Sequence, residues 1–373
     1  MKLHRALRTI FFVTAIFPSL ALSADLSNPL NLMFVSDAEE NFIDVIDLRS
    51  REVVARIETK YPVDDLVATP FAPVLIYTNI ERNLVSLYDL REQRLAMEVE
   101  LPMSPRHMVL DPSGSKIGFS DSKDGGFVLL SAYSGSILFE LEDFPPSRDV
   151  LFDPNEIEIF YTNSATGSVG MIDSNLRQTW EMQVAESVGQ ALSAPSRSLD
   201  GRYVYLANED TGDVYSINKF SKVVHSSFNI GNAPVRPYTT PEGGFLYMID
   251  KVSGRFMSVE QNRFEQFIDT EIGPDIDLVT VGRFDRINLF MSTENRNYYL
   301  FDNYTQRLVE SGKFEDEPLE TLGSIDGRTA FVAFRDSPSI AFVDLESNEI
   351  KYIEATKNGA GAFAIGMSNN VCH

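Results

Sequence analysis

The stretch SDAEENFIDVID, Ser36 to Asp47, puts five acids into twelve residues and closes an apolar alternation on an acid, Val45-Ile46-Asp47. Residues matching Asp47 recur at Asp89, Ser131, Asp173, Asn218, Glu260, Asp302 and Asp344, in steps of 42 residues with a single step of 45. A fixed period of this size marks a repeat architecture and decides the fold before any local reading does.

About ten residues before each member of this series lies a β-rich segment that closes on a short polar residue, as in MFVSD (Met33), IYTN (Ile76), GFSD (Gly118), FYTN (Phe160) and VYLAN (Val204). A polar hairpin, such as DAEEN or NEDTGD, separates the two series. Each copy also has an earlier segment such as RHMVLDPSG and a later one such as EVVARIE. Four short strands joined by turns in some 42 residues make one propeller blade. The strands alternate at period two and are rich in Val, Ile, Tyr and Phe, and no stretch reads as an amphipathic helix.

The first copy starts directly at its second strand, LNLMFV, and an extra strand, AGAFAIGMS (Ala360 to Ser368), follows the last copy. If that strand completes the first blade, the ring closes without a free edge. The expectation is an all-β, eight-bladed propeller over residues 24–373, with seven blades as the alternative.

The chain opens MKLHRALRTIFFVTAIFPSLALSA, with basic residues, an apolar run and then small residues around Ala21 and Ser23, which reads as a signal peptide over residues 1–23. Periplasmic or secreted location follows as an expectation. No later segment approaches the length needed to span a bilayer. Losing the leader removes three basic residues and no acid, so the formal charge moves from −22 to −25. Such a surface disfavours nucleic acid and anionic membranes and favours basic partner proteins or cationic ligands. The single cysteine, Cys372, excludes an intramolecular disulfide.

The repeats IYTN through NLVSLYDLREQRL (Ile76 to Leu95) and VYLANEDTGDVYSINKFSKVV (Val204 to Val224) resemble bacterial YVTN-type propeller repeats, and the likeness runs through the whole mature chain. Related exported propellers include the heavy chains of quinone-dependent amine dehydrogenases, the haem-binding propeller of cytochrome-type nitrite reductases, and a biosynthetic relative of the latter. Eight blades bring the resemblance nearer to the nitrite reductase group. What the resemblance implies is a role beside a periplasmic redox enzyme.

Within the repeat, the acids of the opening stretch fall where other copies carry Asn79, Asp121, Asn163, Asn208 and Asp250, which is turn chemistry rather than a calcium site. Propellers bind ligands where the innermost strands begin. The same ruler places Asp64 and Asp65, Arg106 and His107, and Arg148 and Asp149 at equivalent positions, and a looser alignment adds Arg236, Asp275, Asp277 and Glu320. Together they predict a ring of mixed charge at one mouth of the channel.

His107 is the candidate ligand should a haem or transition metal bind, and Cys372 with His373 is a second candidate pair for a soft metal. No cofactor is evident from motifs: CxxCH, P-loop, GxSxG and HExxH patterns are all missing, and the lone Trp180 does not make a Trp-rich quinone signature. The leading expectation is a non-catalytic scaffold for an exported partner protein or a small-molecule ligand. The alternative is a subunit or cofactor-biosynthesis enzyme of a haem- or quinone-dependent oxidoreductase.

Overall fold

A computed structural model of the chain describes residues 25–147, 150–163, 165–184, 191–240, 244–261 and 263–366. The proposed leader, Arg148, Asp149, Cys372 and His373 lie outside the described residues. Eight four-stranded antiparallel sheets form the fold. Helix among the described residues is confined to the 3-10 turns Pro29–Asn31, Ile80–Arg82 and Arg283–Asp285. The eight-bladed expectation holds and the seven-bladed alternative falls away.

Blade 1 joins the two ends of the chain. Its strands Leu32–Asp37, Phe42–Asp47 and Glu52–Glu58 are completed by Ala360–Ile365, which pairs antiparallel with the first of them. Blades 2 to 8 are continuous, at 65–100, 107–141, 150–183, 196–229, 238–271, 278–313 and 318–354. The inner strand of blade 1 lies against the inner strands of both blade 2 and blade 8, which closes the ring.

The alternation of apolar residues divides each blade between its two neighbours. Phe34, Ile43 and Val45 pack with Leu66, Leu75 and Tyr77 of blade 2. Met33, Val35 and Ile46 pack with Phe331, Ile340 and Phe342 of blade 8. Both faces of the middle strands are therefore buried, which explains their nearly continuous apolar composition. Full burial of a side chain such as Phe34 is worth about 1.5–3 kcal/mol, and these inter-blade layers repeat around the ring.

The Asp47 series has a backbone cause. Asp47 Oδ1 accepts the N–H groups of Arg49 and Ser50 at 2.9 and 2.8 Å, and Asp89, Asp173, Asn218, Asp302 and Asp344 each cap their own turn in the same way. The residue four positions on is left-handed in every copy: Arg51, Gln93, Gly135, Arg177, Lys222, Phe264, Gln306 and Asn348. A short acceptor that holds two N–H groups offsets part of the cost of left-handed backbone. Just past this turn, in six blades, a register shift interrupts the pairing with the outer strand, a bulge that twists the exposed edge away from flat pairing.

Candidate functional site

The acids of the opening stretch fasten a hairpin. Asp37 Oδ1 accepts the N–H groups of Glu39 and Glu40, while Oδ2 accepts those of Lys357 and Asn358 at 2.7 and 2.9 Å. Burial works against ionisation here, but the bonds from Glu39, Asn358 and Lys357 outweigh it and hold the carboxyl at about 2. Asp250 does the same in blade 6, reaching Ala233 in the loop that leads into the inner strand.

Four of the eight described residues expected to ring the channel serve this fastening from its other side. Asp64 is exposed, and its Oδ2 accepts the Ile80 N–H at 2.6 Å. Asp277 accepts from Thr293 N–H and Oγ1 at 2.9 and 2.6 Å and from Lys251 Nζ at 3.0 Å. Asp275 has left-handed backbone and accepts from Asn295 Nδ2 at 2.5 Å. Arg106 lies 3.0 Å from Asp121 of its own blade's hairpin. Each of these four binds the loop before an inner strand to a neighbouring hairpin.

The remaining candidates stand at the channel. Asp65 and His107 open the inner strands Asp65–Ala68 and His107–Leu110 and are half-buried. Arg236 and Glu320 line one cavity of about 280 Å³ that is walled by the inner strands of blades 5 to 8. Arg236 donates from Nη2 to the Pro195 carbonyl at 2.7 Å. Glu320 sits deep in the channel, half-buried and surrounded by protein. Burial, with the nearby charge of Asp65, pushes its carboxyl up to about 8. Arg236 and Glu320 therefore come together in one cavity, with Asp65 near enough to act on Glu320.

Four lining residues were missed by the ruler because they are uncharged. Counted from the hairpin residue of each blade, Ser196, Tyr238, Thr280 and Thr321 occupy one register level of the inner strands, paired with Tyr205, Tyr247, Leu289 and Val332. At that level the other blades carry Val67, Val109, Leu151 and Ala364. One half of the channel wall is thus polar and the other apolar. Stepping the repeat three residues along from Asp64 would have found the difference.

Within the polar half, the Thr280 and Thr321 hydroxyls bond to each other at 2.5 Å, and Thr321 also donates to the Phe331 carbonyl. The Ser196 hydroxyl is buried and makes no hydrogen bond among the described residues. Burial raises the Tyr238 phenol, Arg236 works against that rise, and Asp277 adds to it.

The cavity wall offers guanidinium, phenol, hydroxyl and carboxyl groups but no imidazole or thiolate. The one haem-ligand type in that set is the Tyr238 phenol, and burial, which raises it, works against the phenolate that an axial bond to iron would use. His107 stands on blade 3, away from this wall. Among the described residues no three His, Cys, Asp or Glu side chains converge as a metal site, and no helix is long and apolar enough to cross a membrane.

No family model matches the chain, and no curated protein matches it by sequence. Solved structures do. A dihydro-haem d1 dehydrogenase, NirN, in complex with DHE is similar with a TM-score of 0.74 at 16% identity, over 90% of this chain and 75% of that one. The C-terminal WD40 domain of Sif2 gives 0.67 at 12% identity, over 83% of this chain and 91% of that domain. Hydrazine synthase of Kuenenia stuttgartiensis gives 0.56 at 12% identity, over 79% and 95%. At these identities the likeness establishes the propeller fold and leaves activity to the site itself.

Proposed function

We propose that this propeller is an exported, non-catalytic binding scaffold: a small ligand occupies its channel, its acidic exterior docks a partner protein, and it serves as an accessory to a periplasmic redox enzyme. The observation that carries the reading is the cavity at the channel, where four successive blades present Ser196, Tyr238, Thr280 and Thr321 at one level beside Arg236 and Glu320. A concave, mixed polar and apolar wall on a rigid ring is a binding surface. The resemblance to redox-linked propellers and the likeness to NirN and hydrazine synthase support the accessory role.

The test is purification of the full chain from its native host at low salt. Recovery of an exported oxidoreductase as a stoichiometric partner, with no visible absorption from the propeller itself, is the expected result. A coloured propeller that retains an intense Soret band after the partner is stripped away would replace this reading with a cofactor-bearing subunit.

A further inference from the structure

Three observations meet in the channel cavity. Glu320 has no hydrogen-bond or ion-pair partner among the described residues, although it lies deep within the ring. The Ser196 hydroxyl, more than nine-tenths buried on the same cavity wall, is likewise without a partner. Leu278, Val281 and Leu322 complete the lining with aliphatic surface. Buried polar groups are nearly always satisfied, so the buried Ser196 hydroxyl, on one cavity wall with a half-buried and unpartnered Glu320 carboxyl, points to what is missing from it.

We infer that the cavity is the binding site of a small primary amine with an aliphatic body, its ammonium group donating to the Glu320 carboxylate and the Ser196 hydroxyl, and its alkyl part lying on Leu278, Val281 and Leu322. This rests on reading the channel as the ligand site. A primary ammonium suits the wall because it carries three donors and one positive charge, which answers both acceptors and offsets the negative charge that Glu320, on giving up its proton, adds beside Asp65. A metal ion suits it less, since the metal would need several more converging oxygens.

The titratable groups around Glu320 fix the proton balance. Asp65 acts on it from blade 2, and Arg236 and Tyr238 share its cavity from blade 6. The neighbouring inner strands Ala360–Ile365 and Leu278–Val281 carry no titratable group. At pH 7 the carboxyl holds its proton, and the incoming ammonium replaces it: the charged amine binds, the Glu320 O–H bond breaks, and the proton leaves to solvent.

The probes are n-butylammonium and its isosteric anion butyrate, titrated calorimetrically into the full chain at pH 7 in buffers of different ionisation enthalpy. Butylammonium is expected to bind with release of about one proton, while butyrate does not bind. Glu320→Gln should weaken butylammonium about 10- to 100-fold, and Ser196→Ala about two- to tenfold. Binding of butyrate instead, binding of neither probe, absence of proton release, or an unchanged affinity in a folded Glu320→Gln variant would each overturn the assignment. Recovery of a partner protein is a separate readout, so the scaffold reading survives or fails independently.

Discussion

Asp37 and Asn358, more than three hundred residues apart in sequence, are joined by two hydrogen bonds: the Asn358 backbone and side-chain amides both donate to the Asp37 carboxylate, and Asn358 N–H shares Oδ2 with Lys357 N–H. This contact holds the loop before Ala360–Ile365 against the first hairpin, so it secures the closure of the ring. Asp37→Ala leaves several donors in a largely buried site and is expected to cost about 2–4 kcal/mol. Hydrogen exchange should report the loss first in the amides of Ala360–Ile365, before blades 3 to 6 respond. Uniform acceleration around the ring would contradict this.

The same carboxylate makes stability depend on acid. Its folded value of about 2 lies below the ordinary 3.8, so its contribution is complete above about pH 5 and is lost as pH falls toward 2. Asp47, Asp250 and Asp344 are also held low: backbone bonds lead for Asp47 and Asp344, and hydrogen bonds outweigh burial for Asp250. Thermal melts from pH 6 to pH 2 should show a steep fall for the wild type and a shallower one for Asp37→Asn.

Glu320 has the opposite sign. Its folded value, about 8, lies above the ordinary 4.5, so below pH 4 both folded and unfolded chains hold the proton and nothing is lost. From there to pH 8 the unfolded chain gives up its proton while the folded one resists, and the folded state is penalised increasingly. Glu320→Gln should therefore melt with the wild type at pH 4 and above it at pH 8. A variant that melts lower at pH 8 would show that the carboxylate is stabilised rather than stranded.

Gly254 has φ of +68° and a Cβ there would lie 1.5 Å from the Gly273 carbonyl oxygen; Gly212, one repeat earlier, has φ of +79° and would place its Cβ 1.6 Å from Gly231 O. Gly254→Ala should cost about 2–4 kcal/mol, combining left-handed strain with a clash against backbone. Gly244→Ala meets nothing within 4 Å and should change the melt by no more than about 0.5 kcal/mol. Chemical denaturation of the pair checks both.

The ring was legible because the period is imposed by backbone needs that every blade shares. Asp47 and five of its equivalents recur because they cap a turn whose fourth following residue is left-handed, and that left-handed residue does not vary around the ring. The ligand site was legible only in part for the same reason. Asp64, Asp277 and Arg106 stand at regular spacing because they fasten loops, so regular charge marked structure. Departures from the period mark the cavity. Glu320 lies beside a register shift between Pro318 and Glu320, which loosened its alignment with Asp65 and Asp149. Ser196 follows the single 45-residue step and has no charge to draw notice.

Blade 1 draws its innermost strand from residues 360–365 and the rest from residues 32–58, and this sets an order of assembly. Until Ala360–Ile365 is made, Leu32–Asp37 has one side of its backbone unpaired, and the apolar residues it shares with blades 2 and 8 stay partly uncovered. Any premature stop before Ala360 therefore yields a chain with an adhesive seam. The strand Ala360–Ile365 is the latch of the ring.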